Sequence, residues 1–245
     1  MLLPPFIGHR GIKGYAPENT LAGLKKAYEL GFQWVEFDVT LAKCSTSILV
    51  HDEFLERTTT GKGRVCDFPY TELETLDAGG FFSQDYRGEK IPTFSEYIKK
   101  LAEYGMSANV EIKPSTGLEE ETAAQVVRII QQQWPKTLPP PLVSSFSWAA
   151  LKVARSLDPN LMLGYLMDNR QLFWQQRVKE LNCVSVHFNY RIATKKFVQK
   201  IKALGCFALA YTVNDLAVAE RLFAWGVDSI FTDNLLPQQQ QVYSS

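Results

Sequence analysis

Two carboxylates separated by a single residue, Glu36 and Asp38, stand inside the apolar, β-branched run Trp34-Val35-Glu36-Phe37-Asp38-Val39-Thr40. Side chains on a strand alternate between its two faces, so both carboxylates point the same way. An isolated buried carboxylate is strongly destabilising unless it is paired or bound to a cation. The run supplies no basic partner, and a bound cation is the simpler account. A third carboxylate, Glu111, lies in the run Asn109-Val110-Glu111-Ile112-Lys113. Three hard oxygen ligands from neighbouring strands suit one divalent cation, Mg²⁺ or Ca²⁺, better than Zn²⁺. The competing account is a buried ion-pair network in which Arg10 and Lys113 neutralise the same groups.

Histidines supply the proton chemistry. His9 follows a short apolar run, and His51 ends the run Ser47-Ile48-Leu49-Val50. If Lys43-Cys44-Ser45-Thr46 makes a tight hairpin turn in which Lys43 pairs with Thr46, Asp38 falls directly opposite His51. That inference depends on register, since a slip of one residue reverses the face. Two imidazoles converging on an acidic cluster read as functional. The third, His187, also sits at a strand end but serves equally well as a satisfied core residue, so it is left out of the catalytic set. Lys113 shares a face with Glu111 and is placed to meet an anionic substrate or to neutralise that carboxylate. Two histidines, one cation, an arginine and a lysine meet the requirements of phosphate-ester cleavage. One imidazole accepts the proton of the nucleophile, the other protonates the leaving alkoxide, and the positive groups offset charge on the phosphoryl oxygens. No serine or cysteine nucleophile is needed, and Cys44, the nearest thiol, has no evident partner.

Positioning these residues requires strand ends gathered at one place. Strand-like runs cover residues 6–8, 34–40, 107–112, 142–145, 161–166, 183–187, 206–211 and 229–232, and helix-like stretches with apolar residues at three and four spacing separate them. Gly31, Gly105, Gly205 and Gly226 close helices before the next strand. Eight such units over residues 1–245 predict an α/β fold, a single (β/α)8 TIM barrel whose reacting groups sit at the C-terminal strand ends. Gly8-His9-Arg10-Gly11 is not the glycine-rich nucleotide loop of an open doubly wound sheet. Residues 54–91, rich in turn signals, break the alternation and are expected to form a small insertion after strand two, lying over the barrel mouth. The glutamine-rich tail from Pro237 is expected to fray.

Bulk composition narrows the class. The 245 residues carry 26 basic and 26 acidic side chains, so no global field attracts nucleic acid or an anionic membrane. The four cysteines, at 44, 66, 183 and 206, show no CxxC spacing and no disulfide framework. The N-terminus has no basic leader, and no apolar run reaches the ~20 residues of a membrane span. The expectation is a soluble cytoplasmic protein with no membrane anchor, its oligomeric state left open.

At the same residues the chain resembles the glycerophosphodiester phosphodiesterase family. The resemblance is carried by His9-Arg10-Gly11, Pro17-Glu18-Asn19-Thr20, Glu36-Phe37-Asp38-Val39, His51-Asp52, Arg57-Thr58-Thr59, Gly61 and Glu111-Ile112-Lys113. It continues through Tyr211-Thr212-Val213-Asn214, Gly226-Val227-Asp228 and Thr232-Asp233, nearly the whole chain, and looks like the cytoplasmic bacterial form. The resemblance implies a TIM barrel that cleaves small-molecule glycerophosphodiesters to sn-glycerol 3-phosphate and an alcohol with a divalent cation. It casts His9 and His51 as general acid and base, without deciding which is which. Glu36, Asp38 and Glu111 become metal ligands, Arg10 and Lys113 phosphate contacts, and Tyr211, where many members carry Trp, an aromatic wall beside the substrate. The turn at Ala42-Lys43-Cys44-Ser45 departs from the family's Thr-Lys-Asp-Gly. Two rivals remain: a phospholipase-type enzyme of the same superfamily, expected to show an apolar rim or a secretion signal, neither of which the sequence suggests, and a barrel that binds phosphodiesters without turnover.

Overall fold

The computed structural model describes residues 2–234; the tail from Pro237 lies outside them. Strands β1 (Phe6–Gly8), β2 (Trp34–Leu41), β3 (Ser47–Leu49), β4 (Ser107–Ile112), β5 (Leu142–Ser145), β6 (Met162–Met167), β7 (Ser185–Asn189), β8 (Phe207–Tyr211) and β9 (Ser229–Thr232) form one sheet. All neighbours pair in parallel except β2 with β3, and pairing of β1 with both β2 and β9 closes eight strands into a barrel. Crossovers are made by α1 (Leu21–Glu29), α3 (Phe94–Tyr104), α4 (Glu119–Gln133), α5 (Trp148–Leu157), α6 (Trp174–Glu180), α7 (Lys195–Lys202) and α8 (Leu216–Ala224), while α2 (Tyr70–Leu73) belongs to the segment after β3. This is the (β/α)8 architecture with a small insertion that the alternation predicts.

Strand parity sorts every side chain. On β2, Val35, Phe37 and Val39 join the shell between barrel and helices, where Phe37 packs 4.5 Å from Tyr97 of α3 by ring centroids. The intervening residues face inward. Trp34 joins Ile7, Leu142, Leu209 and Phe231 in an apolar plug inside the barrel, and Glu36 and Asp38 follow it toward the C-terminal end. The plug is ordinary hydrophobic core, so the polar layer rests on a rigid floor.

Helix ends follow their local chemistry. Thr93 and Glu96 make a reciprocal capping box at the start of α3, and Gly105 closes it with φ of 65°. Three strands begin later than predicted, β6 and β8 by one residue and β7 by two. Cys183 N–H is spent on Val178 O of α6, so β7 starts at Ser185 and runs to Asn189. Between residues 54 and 91, Leu55, Val65, Leu73, Ala78 and Ile91 bury a separate apolar cluster against Ala42, Ile48 and Val50.

The hairpin between β2 and β3 differs from expectation. Val39 pairs with Leu49, Thr40 with Ile48 and Leu41 with Ser47, and Ala42 N–H donates to Thr46 O. Paired positions therefore sum to 88, not 89, and His51 is not opposite Asp38. The cause is a three-residue loop in which Ser45 takes the left-handed region, φ 57°, while donating its N–H to Ala42 O. An odd loop shifts the register by one residue. Cys44 of that loop is exposed and hydrogen-bonds Thr46 Oγ1 at 3.0 Å.

The turn after β1 is a tight joint. A Cβ on Gly8 would lie 2.1 Å from Gly11 O, and Gly11 N–H in turn donates to Glu36 O. Gly8→Ala should therefore destabilise the fold by about 1–3 kcal/mol, read as a fall of several degrees in thermal midpoint. An unchanged melting curve would show that the turn yields without strain.

Candidate active site

A cavity of about 880 Å³ opens at the C-terminal end of the barrel strands, the expected place for chemistry in this architecture. His9, Arg10, Glu36, His51, Glu111 and Lys113 all line it, as does Tyr211 across the barrel. Asp38 lies just beneath, paired in register with Glu111 of β4. One carboxylate oxygen from each of Glu36, Asp38 and Glu111 lies within 4.8 Å of the others, all three residues being buried.

Each acid is set by its neighbours. Arg10 N–H donates to Glu36 Oε2 at 3.0 Å, while Oε1 is buried with no hydrogen-bond partner among the described residues. Asn19, itself at φ 57°, grips Asp38 twice, its Nδ2 donating to Oδ2 and its Oδ1 accepting the Asp38 N–H. Lys113 Nζ sits 2.8 Å from Glu111 Oε1 and 3.7 Å from Asp38 Oδ1, and Arg10 Nε is 3.4 Å from Asp38 Oδ2. The ion-pair network weighed from sequence therefore exists, but its two cations face three carboxylates. Burial, together with the Asp38 and Glu111 charges, pushes the Glu36 carboxyl well up. Burial likewise pushes Glu111 up to about 7 against the pull of Lys113. Asp38 goes the other way: burial opposes its charge, but Arg10 and Lys113 hold it below the usual carboxylate range. An orphaned buried oxygen and two carboxyls raised by burial and by the neighbouring carboxylates fit a site that a divalent cation would complete.

Both histidines are anchored by aspartates. His9 Nδ1 donates to Asp233 Oδ1 at 2.6 Å, and Asp233 accepts Asn214 Nδ2 at 2.7 Å on its other oxygen. His9 Nε2 then points toward Glu36, 3.8 Å from Oε2. His51 leaves the end of β3 and donates from Nδ1 to Asp52 Oδ1 at 2.6 Å. Arg57 holds Asp52 on both oxygens and reaches Glu18, whose Oε1 also accepts Arg10 Nη1 at 2.7 Å. An ionic chain Arg10–Glu18–Arg57–Asp52–His51 thus runs from β1 to the segment after β3. Burial lowers both imidazoles, partly offset by Asp233 at His9 and by the Asp38 charge at His51. His187 lies in the cavity floor, fully buried, shares a hydrogen bond with Ser185 Oγ, and is driven down to about 3 by burial.

Sequence reasoning named the two histidines, the three carboxylates and the two cations, and the fold gathers them around one cavity, with Asp38 just beneath it. It did not assign Asp233, Asp52, Asn214, Glu18 or Arg57. Asp233 is 224 residues from His9, and only barrel closure brings it near. The expectation of no apolar rim also needs correction: Leu172 and Phe173, in the loop after β6, are 81% and 73% exposed at the mouth end of the barrel.

The fold and site define a (β/α)8 barrel with a buried acidic cluster, flanking cations and paired imidazoles at its strand ends. The glycerophosphoryl diester phosphodiesterase family model matches residues 9–236, and the chain belongs to that family. It is 32% identical to a glycerophosphodiester phosphodiesterase of Caldanaerobacter subterraneus over 93% of each chain. It is 30% identical to one of Bacillus subtilis, over 93% of this chain and 82% of the relative. Among solved structures it is similar to an Oleispira antarctica phosphodiesterase in complex with the product sn-glycerol-3-phosphate, at 42% identity and TM-score 0.93 over 99% of this chain and 98% of that one.

The ionic chain carries a prediction for acid stability. Burial would raise Glu18, but Arg57 and Arg10 hold it down to about 2 from an ordinary 4.5. A depressed carboxyl stabilises the fold above its unfolded pKa, and that contribution is lost as pH falls from about 4.5 toward 2, up to ~3 kcal/mol for this group. Urea midpoints measured across that window should fall less steeply for Glu18→Gln than for the parent chain. Parallel slopes would show that Glu18 does not govern the acid limb.

Proposed function

We propose that this protein hydrolyses glycerophosphodiesters, the deacylated phospholipid head groups, to sn-glycerol 3-phosphate and an alcohol. The observation that carries the reading is the convergence of three carboxylates, two aspartate-anchored histidines, Arg10 and Lys113 on one cavity, in a chain of this family. Glu36, Asp38 and Glu111 are the residues that would hold Mg²⁺ or Ca²⁺, and when bound such an ion lowers the barrier by offsetting charge on the phosphoryl oxygens. Arg10 and Lys113 would orient the phosphate from either side of the cluster.

His9 and His51 would move the protons. With Nδ1 of each committed to an aspartate, the free Nε2 is the atom that accepts or delivers a proton at the phosphoryl group. Asp233 and Asp52 fix the rings and the tautomer, and low imidazole pKa values favour a base that is neutral near pH 7. Tyr211 forms one wall of the cavity. His187 is assigned no proton transfer, because its Nε2 is engaged by Ser185 and burial keeps it neutral.

The chain is read as one domain in which residues 54–91 form a subdomain, supported by their separate apolar cluster. Four free thiols suit a reducing cytoplasm, and no helix among the described residues is long and apolar enough to cross a membrane. Exposed Leu172 and Phe173 favour one second reading, a lysophospholipid substrate whose acyl chain meets the rim.

Glycerophosphocholine assayed against lysophosphatidylcholine under matched conditions separates the two, with faster loss of the water-soluble diester expected. Preference for the lysolipid would move the assignment to a phospholipase-type enzyme. Exhaustive chelation should abolish turnover, Mg²⁺ or Ca²⁺ should restore it, and Glu36→Gln should resist restoration; full activity without divalent ions would make the carboxylates structural. His9→Ala and His51→Ala should each lower kcat by roughly 10²-fold or more, whereas His187→Ala should retain most of it. Equal severe losses at all three positions would bring the third imidazole into the chemistry.

A further inference from the structure

The reacting groups occupy only one arc of the barrel mouth, at the ends of β1, β2 and β4 with His51 beside them. The opposite arc, at the ends of β5 to β8, presents Phe146, Asp168, Asn189, Tyr190, Arg191 and Tyr211 to the same cavity. Its polar centre is Asp168. The Tyr211 hydroxyl lies 2.9 Å from Asp168 Oδ1 and 2.8 Å from Met167 O, and divides its one proton between them. Tyr211 packs edge-on against Phe146 with ring centroids 5.9 Å apart, and the Lys113 ammonium stands 5.2 Å from the centroid of the Phe146 ring. A continuous line of contacts therefore joins Lys113 to Asp168 through two aromatic rings. No lysine, arginine or histidine forms an ion pair with Asp168 among the described residues. A carboxylate offers about four acceptor positions, and Tyr211 uses one.

Two kinds of alcohol group present donors to such a carboxylate: an ammonium, as in choline or ethanolamine, or the hydroxyls of glycerol. An ammonium is best held over open aromatic faces. Here those seats are taken by the protein's own cations, Lys113 over Phe146 and the Arg191 guanidinium 5.9 Å from the Tyr190 centroid. A third positive charge would meet repulsion from both, whereas neutral hydroxyls donate to Asp168 without that penalty. We infer that Asp168, held in place by the Tyr211 hydroxyl, is a specificity-determining residue that accepts hydrogen bonds from the vicinal hydroxyls of the glycerol half of the substrate. The inference rests on the phosphodiesterase reading and adds an orientation to it. The half common to all glycerophosphodiesters lies on the β5–β8 arc, and the variable alcohol points away from it.

The test compares binding of sn-glycerol 3-phosphate with binding of inorganic phosphate by calorimetry, in the presence of Mg²⁺, for the full chain, Asp168→Ala and Tyr211→Phe. Asp168→Ala should weaken sn-glycerol 3-phosphate about tenfold or more, the usual effect of losing hydrogen bonds to a charged group, and leave phosphate affinity unchanged. Tyr211→Phe should act in the same direction by less. KM for glycerophosphoethanolamine should rise in Asp168→Ala far more than kcat falls. Parental affinity of Asp168→Ala for sn-glycerol 3-phosphate, or equal weakening of both ligands, would overturn the inference. So would a loss confined to choline and ethanolamine esters with glycerophosphoglycerol unaffected, since that pattern belongs to an ammonium seat. The two readings fail separately: a parent chain that discriminates the ligands as expected but cleaves no diester leaves the glycerol site standing and removes the hydrolase assignment.

Discussion

Three carboxylates buried within a few ångströms of one another are the constraint to which the rest of the mouth answers. Glu36, Asp38 and Glu111 are brought together by the parallel register of β2 and β4, which sets Asp38 beside Glu111. Such crowding is unfavourable without compensation. Arg10, Lys113 and Asn19 compensate unevenly: Asp38 is held by all three, Glu111 shares one lysine, and Glu36 retains an oxygen with no hydrogen-bond partner among the described residues. The residual demand for positive charge is what a divalent cation held by the cluster would meet, and Arg10 and Lys113 by themselves leave it unmet.

Around that cluster the histidines are held from behind. Each spends Nδ1 on an aspartate, and each aspartate is held in turn, Asp233 by Asn214 and Asp52 by Arg57. A ring fixed at one nitrogen presents the other in a defined direction, which a general acid or base needs more than exposure. Because Arg57 also grips Glu18, which grips Arg10, the geometry at His51 is tied to the turn after β1. The segment that follows β3 is therefore part of the site's scaffold and not an ornament on the barrel.

Inside the barrel, stability and chemistry are stacked. Trp34, Ile7, Leu142, Leu209 and Phe231 fill the lower layer with apolar volume, and the polar residues stand two positions further along the same strands. The mouth is divided a second time around its circumference, into an arc that carries charge and imidazoles and an arc built from Phe146, Tyr211 and Asp168. Lys113 touches both, near Glu111 on one side and over Phe146 on the other.

Much of this was legible in the order of residues. The period of two placed Glu36, Asp38 and Glu111 on inward faces, and the alternation of strands with glycine-closed helices called for a barrel, because both depend on spacing within one element. Register was not legible. The hairpin at 42–46 turns on Ser45 in the left-handed region, a residue that does not advertise that conformation, and the resulting three-residue loop takes His51 away from the position opposite Asp38. Nor could spacing reveal that Asp233 meets His9, that Arg57 joins Asp52 to Glu18, or that the Tyr211 hydroxyl finds Asp168, 43 residues away and one strand removed. Local pattern decides which way a side chain faces. Only closure of the barrel decides what it faces, since those partners sit on strand ends that become neighbours in three dimensions alone.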